Sequence, residues 1–144
     1  ERLGYLLVSP RMRDWQEVFA ACAGAARTMG YICPSSLFQH LLPACLTERV
    51  DLTVYRTNRD LLYGALTEYG FTVAKPSGAF YLFVKSPEPD AFAFYEKAKS
   101  REILLVPSDD FGYPGYVRVS YCVDTDKIRR ALPGFKALAE SYGL

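Results

Sequence analysis

Gly115-Tyr116-Val117-Arg118-Val119-Ser120-Tyr121 reads as a strand with one wet face and one dry face. Side chains along a strand alternate, so Tyr116, Arg118 and Ser120 share one side, and Val117, Val119 and Tyr121 share the other. β-Branched and aromatic residues dominate the stretch, which suits a half-buried pleated surface. The valine side is the predicted core. Pattern alone leaves Arg118 as a cation on the open side of a sheet. Working outward, residues 103–106 form an apolar strand, and the loop 107–115 joins it to the Arg118 strand. Residues 71–74 and 79–84 are two further strands, separated by the turn residues Pro76, Ser77 and Gly78. Asp90 caps a short helix carrying Phe92, Phe94 and Tyr95. Asp124 or Thr125 caps the last helix, with Ile128, Ala131, Leu132, Phe135, Leu138 and Tyr142 inward and a kink at Pro133-Gly134.

Before these strands, residues 50–69 place Val54, Leu61, Leu62, Ala65, Leu66 and Tyr69 on one helical stripe that ends at Gly70. The resulting order, helix, strand, strand, helix, strand, strand, helix, predicts an α+β layer, a mostly antiparallel sheet with helices packed on one face. The first 48 residues differ in character. Residues 3–8 are continuously apolar and stop at Ser9-Pro10, as a strand buried on both faces of a parallel sheet would. Trp15, Val18, Phe19, Cys22, Ala26 and Met29 then recur at helical spacing up to Gly30. Ser35 or Ser36 caps another helix whose predicted buried face is Leu37, Phe38, Leu41, Leu42, Cys45 and Leu46, kinked or shortened by Pro43.

The chain has 144 residues, 50% hydrophobic and 23% charged, with a formal net charge of +1. That balance is globular, and it provides no electrostatic footprint for nucleic acid or an anionic membrane. Arg11 with Arg13, and Arg129 with Arg130, read as solvated helix faces. Cys22, Cys33, Cys45 and Cys122 are widely spaced, with His40 as the one imidazole, so zinc-ligand spacing is absent and the thiols read as structural. No apolar run approaches the roughly 18 residues of a membrane span. Phosphate loops and a G-x-S-x-G elbow are missing. Asp109-Asp110 reads as a solvent-facing turn.

Taken in order, Arg2-Leu3-Gly4, Pro76-Ser77-Gly78-Ala79-Phe80-Tyr81, Pro107, Phe111-Gly112 and the Arg118 strand resemble the C-terminal part of the class I/II pyridoxal-phosphate aminotransferases of fold type I, the aspartate aminotransferase superfamily. The resemblance implies that residues 1–48 are a remnant of the large cofactor-binding domain. Residues 49–144 are then the small C-terminal domain, entered by the long interdomain helix. It further implies that Arg118 grips the α-carboxylate of the substrate, that Phe80 lines the pocket, and that Arg2 binds the cofactor phosphate. In strict alternation, one of Phe80 and Tyr81 fills the core.

The family's Schiff-base lysine lies a few residues before the Arg-x-Gly segment, whereas the first lysine here is Lys75. The resemblance therefore implies no catalytic residue in this chain, and pyridoxal phosphate bound by the full-length parent rather than by these residues alone. Amino acids and 2-oxo acids are the implied substrates, in a cytoplasmic homodimer with no nucleic acid or membrane partner. A lyase or synthase using the same cofactor, and the effector-sensing half of an aminotransferase-like transcription regulator, remain alternatives on the same fold. One departure is visible: Ser108 stands where the family's Pro-Gly-x-x-Phe-Gly loop has glycine, which leaves the conformation of that loop open.

Overall fold

The strand built on Arg118 forms as its alternation requires. In the computed structural model, which describes residues 2–144, it is β4 (Tyr116–Ser120), and it lies between two partners in a four-stranded sheet. The others are β1 (Val73–Ala74), β2 (Tyr81–Lys85) and β3 (Val106–Pro107), in the order β1-β2-β4-β3 with every pairing antiparallel. Val117 and Val119 are buried, as are Leu82 and Val84 opposite them. On the other face, Ala74, Phe83, Arg118 and Val106 form one row across all four strands.

Both edge strands are shorter than their apolar runs predict, for the same reason. The helix α3 (Thr53–Glu68) ends with Gly70 at φ 93°, where Gly70 donates to the Thr67 carbonyl and Phe71 to the Leu66 carbonyl. This double closure commits the Phe71 N–H to the helix end, so the strand starts only at Val73. Ile103 likewise donates to the Ala98 carbonyl of α4 (Ala91–Lys99), after Glu102 turns the chain at φ 60°. Pro107 lacks an N–H and is tolerated because β3 is an edge.

The helices α3, α4 and α5 (Thr125–Glu140) cover the valine face, and Leu62, Leu66, Phe94, Phe135 and Leu138 complete one core with it. Asp90 and Asp124 cap α4 and α5 with side-chain bonds to Phe92 N and Asp126 N. The helix α5 runs as one element with Pro133 inside it. The neighbouring Gly134 lets α5 approach the preceding segment closely, since a Cβ there would lie 3.1 Å from Ile103 Cδ1. At the chain's end, Tyr142 donates to Glu88, and the Lys97 ammonium lies 4.1 Å from the centre of the Tyr142 ring. Burial, with the Glu88 carboxylate adding to it, pushes the Tyr142 phenol well above its ordinary value.

Asn58 occupies the apolar stripe of α3, fully buried. Its Nδ2 donates to the carbonyls of Tyr121 and Val123, at 3.1 and 2.7 Å, and its Oδ1 accepts from Thr125 Oγ1 at 2.7 Å. One amide thus ties α3 to the chain leaving β4. Replacement Asn58→Leu would bury two carbonyls without these partners, at a cost of about 1–3 kcal/mol. A lower urea midpoint at unchanged slope is the expected result.

Residues up to Val50 form a separate compact unit from Asp51–Leu144. It holds α1 (Trp15–Thr28) and α2 (Ser36–Cys45), and Gly30 follows α1 at φ 86°. Residues 3–8 do not form the predicted strand: they have no ladder, and Tyr5 and Leu7 are 94% and 82% exposed. A strand dry on both faces needs neighbours on each side, and the described residues provide none. The predicted buried face of α2 is likewise not buried. Leu37, Leu41, Leu42, Cys45 and Leu46 are exposed, and only Phe38 is half-buried.

Candidate functional site

Arg118 sits half-buried at the middle of β4, and its guanidinium lies against two aromatic rings. Its Cζ lies 4.4 Å from the centre of the Tyr81 ring and 4.5 Å from that of Phe111. Tyr81 comes from β2, diagonally across from Arg118, because its direct partner is Ser120. Phe111 comes from the 3-10 turn Asp109–Phe111 in the loop before β4. Among the described residues, no carboxylate forms an ion pair with Arg118. A guanidinium carries its N–H donors in its own plane, along an edge that aromatic rings near its central carbon do not occupy. Such an edge matches a planar two-oxygen acceptor, a carboxylate, through two parallel charge-assisted bonds.

The turn before Tyr81 is fixed from the core side. The buried Tyr121 donates its hydroxyl to the Ala79 carbonyl at 2.9 Å and its N–H to the Phe80 carbonyl at 3.0 Å. Ala79 has φ 59°, a left-handed conformation that costs a non-glycine residue energy and persists when surrounding bonds hold it. Gly78 carries no such demand, and a Cβ added there would touch nothing within 4 Å. Because β2 begins only at Tyr81, neither Phe80 nor Tyr81 fills the core, contrary to strict alternation. Leu82 and Val84 do so instead. Phe80 is 39% exposed, with its ring 4.5 Å from that of Tyr81, and the ring over Arg118 is that of Tyr81.

The loop carrying Phe111 is pinned by Ser108, which is fully buried. Its N–H donates to the Tyr116 carbonyl at 2.9 Å, and its carbonyl accepts from Phe111 and Tyr113 at 2.9 and 3.2 Å. Its hydroxyl reaches the Tyr113 carbonyl and also lies 2.7 Å from the Tyr116 carbonyl. Ser108 has φ −96°, which any residue adopts, so serine fits where glycine was expected. Beside the clamp, a cleft of about 450 Å³ is lined by Lys75, Pro76, Tyr81, Phe83, Tyr113 and Tyr116, with Tyr81 as the shared wall.

The remaining candidates stand apart. Arg2 is exposed and lies in the first unit, where it makes no ion pair among the described residues. His40 is exposed, Cys22 is half-buried, and Cys33, Cys45 and Cys122 are exposed, so the thiols are not core packing. Among the described residues no cluster of His, Cys, Asp and Glu could hold a metal. No helix there is long and apolar enough to cross a membrane. Sequence reading missed the ring of Phe111, the Ser108 pin, the Tyr121 bond to Ala79 and Asn58. A polar residue on an apolar stripe was the available sign for Asn58. The other contacts join residues that no periodicity relates.

Comparison with known proteins places this arrangement. Residues 1–135 match the family model described as aminotransferase class I and II. An aminotransferase of known structure from Eubacterium rectale is 46% identical and superposes with a TM-score of 0.93, covering 100% of this chain and 36% of its own. The probable aspartate aminotransferase of Methanocaldococcus jannaschii is 36% identical over 152 positions, covering 96% of this chain and 39% of that protein. The aspartate/prephenate aminotransferase of Thermus thermophilus is 37% identical over 83 residues, 56% of this chain and 22% of that protein. The chain belongs to the class I and II aminotransferase family, and it spans well under half the length of these relatives.

Proposed function

We propose that the whole protein containing this chain is an aminotransferase that moves an amino group between an amino acid and a 2-oxo acid, and that this part binds the substrate carboxylate. The observation that carries the reading is Arg118, packed against Tyr81 and Phe111 with no carboxylate of its own among the described residues. Gripping a carboxylate at two points fixes the rotation of the α-carbon as well as its position, and so decides which of its bonds is presented for cleavage. Phe80, its ring tilted against that of Tyr81, walls the same region.

The family uses pyridoxal phosphate, which supplies an electron sink for the α-carbon when bound. These residues alone do not make a site for it. No lysine precedes Lys75, and Arg2, the proposed phosphate contact, is exposed and unsupported among the described residues. In the same reading, residues 1–48 belong to the large domain, 49–144 are the small C-terminal domain, and the protein is a cytoplasmic homodimer.

The test uses the full-length protein with pyridoxal phosphate, amino acids and 2-oxo acids. Formation of the new amino acid and new 2-oxo acid in equal amounts is the expected result. Release of ammonia without amination of the acceptor would favour a lyase. Effector-dependent DNA binding without turnover would favour a transcription regulator.

A further inference from the structure

We infer that the Ser108 hydroxyl is a positioning group for Arg118, acting through Phe111, and that it sharpens selection for substrates bearing a carboxylate. The inference rests on the carboxylate-binding reading of Arg118. Phe111 comes from a loop rather than from the sheet, so its place over the guanidinium is only as definite as that loop. Ser108 closes the loop at both ends. Its carbonyl receives the Phe111 N–H, and its own N–H goes to the Tyr116 carbonyl on β4, two residues before Arg118.

A glycine could make those two backbone bonds equally well. What serine adds is the hydroxyl. The Tyr116 carbonyl already receives the Ser108 N–H, so the single hydroxyl proton is best used by the Tyr113 carbonyl. That bond joins the Tyr113 N–H bond to the Ser108 carbonyl in fastening the far side of the turn, just beyond Gly112 at φ 73°. The Tyr113 ring also packs 4.9 Å from Tyr116 and 6.2 Å from Phe83, the strand partner of Arg118. Fixing Tyr113 therefore fixes the loop against the row of the sheet that holds the arginine. Phe111 is 49% exposed and has little other packing to hold its ring over Arg118.

Ser108→Ala removes the hydroxyl and keeps the Cβ, and Phe111→Leu removes the ring and keeps the pin. Both are compared with Arg118→Lys in the full-length holoenzyme, using amino acids and amines of matched side chain that lack the carboxylate. The expected result for Ser108→Ala and Phe111→Leu is a fall of about tenfold in kcat/KM for amino acids, with a much smaller change in amine turnover. A merely structural role would lower both substrate classes together. If Arg118→Lys discriminates the classes and Ser108→Ala does not, the positioning role falls while the reading of Arg118 stands. If Arg118→Lys also fails to discriminate, both fall. Should Ser108→Ala fold poorly, Phe111→Leu decides: equal loss on both substrate classes overturns the inference.

Discussion

Arg118→Ala in the full-length enzyme is expected to lower kcat/KM for amino acids by at least about a hundredfold, while amines lacking a carboxylate are far less affected. The magnitude follows from what is removed. Each hydrogen bond to a charged group is worth about 1.5–3 kcal/mol, and the fork supplies two to one carboxylate. Half-burial and the two covering rings reduce competition from water at those donors. The same contact also orients the α-carbon, so the loss falls on kcat as well as on KM. Arg118→Lys keeps the charge and loses the fork, and it should lie between wild type and alanine. Steady-state kinetics on matched substrates check this. Equal slowing of both classes, or intact amino-acid turnover, would return Arg118 to a solvated residue on an open sheet face.

Phe94→Ala is expected to destabilise the protein by about 3–5 kcal/mol, the range for truncating a buried phenylalanine. Phe94 is 1% exposed on α4, and its ring lies 6.2 Å from that of Phe71 and 5.7 Å from that of Tyr142. Those contacts join the helix end that delays β1 to the lock at the end of the chain. The vacated space is bordered by Leu66, Phe71, Val84 and Phe135, which come from different elements, so the surroundings can collapse only partly. Against a typical total of about 5–15 kcal/mol, the loss would be a large part of the stability. Chemical denaturation of wild type and variant checks it. A change under about 1 kcal/mol would mean that the helix layer repacks freely around the site.

Periodicity was enough for the sheet's two central strands, the helices and the caps of α4 and α5, whereas Ser35 precedes α2 without the side-chain capping bond expected of Ser35 or Ser36. Strand alternation put Val117 and Val119 inside and Arg118 outside, and Asp90 and Asp124 each capped a helix as their position suggests. Those features depend on residues close in the chain, whose geometry the backbone repeats. Burial of residues 3–8 and of α2 was not decided that way, because an apolar run states a demand for neighbours and cannot supply them.

The candidate site divides in the same manner. A single arginine on an alternating strand, read with its flanking motifs, identified Arg118. Only tertiary structure placed Tyr81 rather than Phe80 over it, brought Phe111 against it as well, and turned Ser108 inward as the pin of the loop. Residues 81, 111 and 118 meet because antiparallel register and one tight turn bring them together. That register is selected by burial of the opposite face, a property of the whole packed layer and not of any segment within it.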